Sequence, residues 1–210
     1  METIVNVKSK KKYLTAQRIS LIAIFVAIMC VCSWISVPSP FNPGVPFTLQ
    51  TLGIILAGLV LSPAEAIFAS LCYLLLGLCG LPIFANFSTL YSGIGSPAGG
   101  YIIGFYIAPP ILALAKKAIF KITDKKSKSK PGKNITHIVV YLILGIILAT
   151  LLIDIPGVIQ GMIITKMPLG AAIIPFALSF LPTDILKAVA AAFIAEALEK
   201  PYKKLFKNNN

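Results

Sequence analysis

The sequence predicts an all-α integral membrane protein with six transmembrane helices, cytoplasmic N and C termini, and structured outer loops. Three observations predict it. Hydrophobic residues make up 57% of the 210 residues and charged ones only 12%, with a mean hydropathy of +0.89. Soluble domains carry about 25% charged residues. Many of the apolar runs are long enough to approach or cross ~30 Å of hydrocarbon as helices. The 19 lysines and arginines fall mainly at the ends of those runs: five at residues 8–18, eight at 116–133 and four at 200–207, leaving Lys166 and Lys187 elsewhere. Basic flanks orient membrane proteins and meet anionic lipid. The formal charge of +12 is therefore a membrane signal, with no nucleic-acid partner implied. Residues 1–210 read as one multi-pass domain of the cell membrane. It has a basic N-terminal segment at 1–14, a lysine-rich linker at 116–134 and a basic tail at 200–210.

The first helix is read from Thr15 to Val37. Charge followed by an apolar run also describes a signal peptide, but this run is long and lacks an A-x-A cleavage site, so a retained helix is expected. Ala23-x-x-x-Ala27 gives it a small-xxx-small face that admits a second helix closely. Prolines 38, 40, 43 and 46 stiffen the next loop. A short second helix follows from about Phe47 to Leu61, with Gln50 in its first turns. Ser62-Pro63-Ala64-Glu65 turns into a third helix, to about Cys79.

Residues 80–99 are too apolar for a solvated tail and too rich in glycine and proline for one helix. Such backbone is tolerated at membrane depth where it packs in protein or lines a cavity. No Gly-Lys-Ser/Thr follows its glycines, so a phosphate cradle is not indicated. The fourth helix is read from about Gly100 to Ile119, with Gly100-x-x-x-Gly104 as a close-packing face and a kink expected at Pro109-Pro110. A fifth runs from about Ile135 to Ile155, where Asp154-Ile155-Pro156-Gly157 is expected to end or kink it. An irregular stretch containing Gln160 is expected at 157–172, and a sixth helix from about Pro182 to Glu199.

The three basic segments are expected on the cytoplasmic side. Six helices satisfy this, with four crossings between the first and second segments and two more to the third. The irregular segments near 38–47, 80–99 and 156–182 then share the outer side, around the start of the last helix. There Asp184 and Lys187 stand at i and i+3 on one helix face. Neither charge faces lipid cheaply, so the pair meets protein, water or a ligand, in an outward-facing pocket. A purely structural ion pair is the alternative, as is loop support for Gln50, Asn86, Ser88 and Tyr101.

Catalytic and metal-binding readings find no footing. The sequence lacks HExxH, GxSxG and aspartate-rich metal motifs. His137 is the single histidine, and Cys30, Cys32, Cys72 and Cys79 lack metal-site spacing. A channel or stand-alone small-solute carrier is another class, although no inverted repeat is visible.

Four ordered blocks carry a resemblance over most of the chain from Ala16 to Glu199: Val45-Pro46-Phe47-Thr48-Leu49-Gln50-Thr51-Leu52; Tyr73-Leu74-Leu75-Leu76-Gly77 with Gly80-Leu81-Pro82-Ile83-Phe84-Ala85; Ser96-Pro97-Ala98-Gly99-Gly100-Tyr101; and Pro182-Thr183-Asp184-Ile185-Leu186-Lys187. Together they resemble the BioY family, the biotin-binding S components of energy-coupling factor (ECF) transporters. Asn86-Phe87 stands where that family often has paired glycines, and Ser96 and Thr183 replace common glycines.

The resemblance implies biotin as ligand, no cofactor, and three kinds of partner: a transmembrane coupling subunit, two cytoplasmic ATPases, and the lipid bilayer. It implies that Asp184 and Lys187 contact the vitamin, with Ser88 or the nearby Asn86 contributing from the loop after the third helix. Gln50 and Tyr101 are further candidates. It also makes Ala23 and Ala27 similar to the docking surface for the coupling subunit. An S component for another small vitamin is the runner-up reading. Biotin's chemistry fits the charges independently: Asp184 can accept from a ureido N–H, and Lys187 can meet either the ureido carbonyl or the carboxylate. Trp34, Phe47 and Phe84 are expected to supply an apolar wall.

Overall fold

The structure, a computed structural model, describes residues 15–42, 44–126 and 133–206, with side chains at 15–42, 44–122 and 135–206. The basic segment 1–14, residues 127–132 of the lysine-rich linker and the last four residues of the tail lie outside the described residues. Helix α1 spans Ala16–Trp34 and starts at Thr15, whose hydroxyl accepts from the Arg18 amide at 3.4 Å. Ile22, Phe25 and Met29 turn inward at helical spacing, while Ile19, Ala23 and Ala27 face out. A two-stranded antiparallel ribbon follows, with β1 (Ser36–Val37) pairing with β2 (Phe47–Thr48).

Helix α2 (Gln50–Val60) is the most enclosed element, buried at nearly every residue and packed by α1, α5 (Gly99–Lys126) and α9 (Leu181–Phe206). Its 11 residues rise only about 16 Å at 1.5 Å each. A short helix at the centre leaves space beyond its N-terminus, and that space becomes the cavity described below. At its other end Lys116 reaches over from α5 (Gly99–Lys126). The ammonium donates to the carbonyls of Leu59, Val60 and Leu61 at 2.6, 3.2 and 2.8 Å. These helix-terminal carbonyls otherwise lack partners, and a cation there also complements the helix dipole. Lys116 was counted with the basic linker in sequence; in the fold it caps a neighbouring helix.

Helix α3 (Pro63–Leu78) opens with a capping box formed by Ser62 and Glu65. Glu65, only 2% exposed, also accepts from Arg18 Nη1 at 2.9 Å and from the Tyr202 hydroxyl at 2.5 Å. One carboxylate thus joins the start of α1, the start of α3 and the last turns of α9 (Leu181–Phe206). His137 stands against Glu199 at 2.7 Å and Glu196 at 3.7 Å, tying α6 (Lys133–Ile143) to α9.

Segment 80–99 is compact rather than extended. A 3-10 turn at Ala85–Phe87 leads to a short α4 (Leu90–Ile94), capped by Thr89. Pro109 and Pro110 lie inside α5, which runs on to Lys126, beyond the end expected at Ile119. Helix α6 (Lys133–Ile143) passes through a π-helical turn at Leu144–Ala149 into α7 (Thr150–Thr165).

The expected break at Pro156 is absent: α7 runs through it to Thr165, so 157–172 is mostly helix and not the irregular outer segment read from sequence. Packing against a neighbour lets a membrane helix carry a proline, and α7 packs along α5. A Cβ at Gly104 would lie 2.6 Å from the Ile153 Cα, and one at Gly100 would collide with the Pro156 carbonyl. The Gly100-x-x-x-Gly104 face thus holds the two backbones together. After Lys166, in the left-handed region at φ +58°, α8 (Leu169–Ile173) and a second π-helical turn at Ile174–Leu178 lead into α9.

Four helical stretches are long and apolar enough to cross a membrane: Ala16–Trp34, Gly99–Ile122, Ile135–Thr165 and Leu169–Phe206. Gln50–Val60 and Pro63–Leu78 are shorter apolar helices. Apart from the small ribbon, the described chain is an all-α membrane bundle.

Candidate functional site

A cavity of about 220 Å³ lies beyond the N-terminus of α2, near the lower end of the size range of small-molecule pockets. Gln50 and Thr51 bring that helix end to it, the ribbon brings Thr48, and the 80–98 loop brings Ala85, Asn86, Ser88 and Ser96. Asp184 and Lys187 enter from the first turns of α9, and Tyr101 from α5. All six sequence-predicted binding residues, Asp184, Lys187, Ser88, Asn86, Gln50 and Tyr101, therefore line one space. Ala23 and Ala27 do not; they lie on the exposed face of α1.

The charged pair is buried, with Asp184 4% and Lys187 7% exposed. Lys187 Nζ donates to Asp184 Oδ1 at 2.8 Å. Both groups retain further hydrogen-bonding capacity, since a carboxylate accepts several bonds and an ammonium donates three.

The remaining residues are held by a chain of hydrogen bonds. Gln50 Nε2 donates to the Tyr73 hydroxyl at 2.8 Å, and that hydroxyl donates to the Ile83 carbonyl at 2.9 Å. Ser33 Oγ donates to the same carbonyl at 2.5 Å. Ser36 Oγ donates to Asn86 Oδ1 at 2.8 Å. Gln160, on α7, donates to the carbonyls of Ile94 and Ser96, and Tyr101 donates to the Phe176 carbonyl. The loop after α3 is thereby fastened to α1, α3 and α7.

The apolar wall differs from expectation. Phe84 lines the cavity, but Trp34 and Phe47 do not: the Trp34 ring stacks on Phe87 at 5.6 Å and its Nε1 donates to the Pro82 carbonyl at 2.8 Å. Phe47 packs edge-on against Phe180 at 4.9 Å, and Phe180, with Ile102 and Phe105, completes the wall. Sequence reading also missed Asp154, which lines the cavity from α7 and is 7% exposed. The signal was present: the penalty that singled out Asp184 in an apolar run applies equally to Asp154.

The sequence matches the BioY family model over residues 7–204. This chain belongs to the BioY family. Among relatives, it is 36% identical over 184 residues to the probable biotin transporter BioY of Pyrococcus horikoshii, covering 88% of this chain and 97% of that one. It is 33% identical over 175 residues to the probable biotin transporter BioY of Bacillus subtilis, covering 83% and 86%. Among solved structures it is similar to the S-component for biotin from an ECF-type ABC transporter. That match has a TM-score of 0.71 at 25% identity and covers 89% of this chain and 95% of the other.

Asn86-Phe87, where the resemblance leads one to expect paired glycines, has an informative backbone. Asn86 and Phe87 hold φ of +54° and +56°, the left-handed region that glycine adopts without penalty. The glycine-type backbone is kept with side chains in place. Asparagine tolerates it well; Phe87 adopts it while stacking on Trp34.

Proposed function

We propose that this chain binds biotin at the outer side of the cell membrane and mediates its uptake as the S component of an ECF-type ABC transporter. One observation carries the reading within the BioY family: a buried acid–base pair, Asp184 and Lys187, lines a cavity with Gln50, Asn86, Ser88 and Tyr101. Biotin offers two ureido N–H donors, a ureido carbonyl, an apolar bicycle and a carboxylate. Asp184 accepts a ureido N–H, while Lys187 donates to the ureido carbonyl or the carboxylate. Ser88, Asn86, Gln50 and Tyr101 complete the polar contacts. Charge-assisted hydrogen bonds in a site shielded from water are strong and geometrically selective.

The chain acts as a single membrane domain of six crossings with cytoplasmic termini. It needs no cofactor and carries no Walker motif. ATP hydrolysis therefore falls to two cytoplasmic ATPase subunits, linked through a transmembrane coupling subunit. The outward small-residue face at Ala23 and Ala27 is the docking surface for that subunit.

Equilibrium binding to the purified chain in detergent tests the reading. Saturable binding of biotin, with no comparable binding of other vitamins, is expected. Absence of biotin binding by a monodisperse preparation, or equal binding of another vitamin, overturns it.

A further inference from the structure

Asp154 sits in the second turn of α7, in the wall of the cavity, and is 7% exposed. Among the described residues it makes no hydrogen bond and no ion pair, although it lies close enough to Asp184 and Lys187 to feel both charges. Among the described residues Lys187 is the only cation lining the cavity, and it already pairs with Asp184 at 2.8 Å. On its other side Asp154 borders an apolar cavity of about 370 Å³ between α7 and the α8–α9 stretch. Among the described residues Thr150 is the only other polar one there.

The binding cavity thus holds two carboxylates against one ammonium. Ionisable groups inside a membrane are costly and mark ligand or ion sites by default, and a carboxyl keeps an oxygen that can only accept hydrogen bonds in either protonation state. The unmet demand is for donors. A cyclic urea supplies two N–H groups pointing away from each other.

We propose that Asp154 is a second ligand-recognition carboxylate, accepting one ureido N–H of biotin while Asp184 accepts the other. This rests on the biotin reading above. It makes Asp154 a specificity-determining residue: an analogue lacking one N–H leaves a buried carboxylate unpaired, and sites built on such contacts discriminate strongly.

The test compares wild type with Asp154→Asn, and with Asp154→Leu as a second variant. Binding of biotin and of its two N-methylated ureido isomers is measured, together with thermal unfolding of the unliganded proteins. Each variant is expected to bind biotin at least tenfold more weakly. That loss should vanish with the isomer methylated at the nitrogen Asp154 meets, and persist with the other, because the two changes remove the same contact. Unliganded melting temperatures should equal or exceed wild type, since removing an unpartnered buried carboxyl breaks no pair. Wild-type biotin affinity in a folded variant overturns the assignment alone. The same loss with both isomers also overturns it. A lowered unliganded melting temperature, or failure of both variants to fold, makes Asp154 structural and overturns it too. Wild type that binds no biotin removes the biotin reading itself.

Discussion

Asp184 and Lys187 stand 2.8 Å apart at 4% and 7% exposure, so replacing either alone leaves the other ionised in an apolar site. That penalty is about 3–5 kcal/mol, and it confounds folding with binding. Asp184→Asn with Lys187→Met removes both charges while keeping shape and length. If each charged group hydrogen-bonds biotin, each lost contact weakens binding by about 1.5–3 kcal/mol. The double variant should then remain monodisperse and bind roughly a hundredfold worse or more, at 1.4 kcal/mol per tenfold. Near-normal affinity in titrations of a folded double variant would leave the pair purely structural. The pair was legible in sequence because charges in an apolar run cannot be indifferent to their surroundings. Asp154 carried the same signal, but Pro156-Gly157 beside it reads as a helix end, where a carboxylate draws no notice. Lys116 was hidden differently: its role depends on where the end of α2 lies in space, which spacing along the chain does not encode.

At the scale of elements, two helix faces are built from small residues, and they do opposite things. Gly100 and Gly104 on α5 are consumed inside the molecule by α7, where a Cβ at Gly104 would sit 2.6 Å from the Ile153 Cα. Gly104→Val is expected to destabilise the chain by about 1–3 kcal/mol or more through overpacking. The change is read as a lower melting temperature without ligand, and biotin binding should weaken too, since Tyr101 and Asp154 stand on the same two helices. An unchanged melting temperature would contradict the close α5–α7 contact. Ala23 and Ala27, by contrast, face outward on α1. Replacing both with leucine should spare melting temperature and biotin binding but abolish co-purification with the coupling subunit. Normal assembly of that variant would place the docking face elsewhere. Sequence showed both faces and could not say which was internal. The helices themselves were legible as apolar runs. The passage of α7 through Pro156 was not, because it is supported by a partner helix remote in sequence.

The whole molecule is polar along its length. Arg18, Lys116, Lys200, Lys203 and Lys204 gather where the start of α1, the far end of α2 and the last turns of α9 meet, around Glu65 and Tyr202. The cavity lies at the other end, with the ribbon and the 80–98 loop. Cationic residues beside membrane spans favour the cytoplasmic side, so this asymmetry predicts that the cavity opens to the outside. It was legible in sequence because lysine positions along the chain report the ends of apolar runs directly. Single cysteines in a background free of Cys30, Cys32, Cys72 and Cys79 test it. Ser9→Cys, Ser127→Cys and Asn209→Cys probe the three basic segments at positions outside the described residues. Tyr91→Cys, at a residue 67% exposed on α4, probes the cavity end. In intact cells an impermeant thiol reagent should label position 91 and spare the other three until the membrane is permeabilised. Inverting the bundle would require carrying its basic end across the membrane, against the bias that sets orientation. Labelling of position 127 from outside, with protection of position 91, would establish that inverted orientation. It would also remove the route by which an external vitamin reaches Asp184 and Lys187.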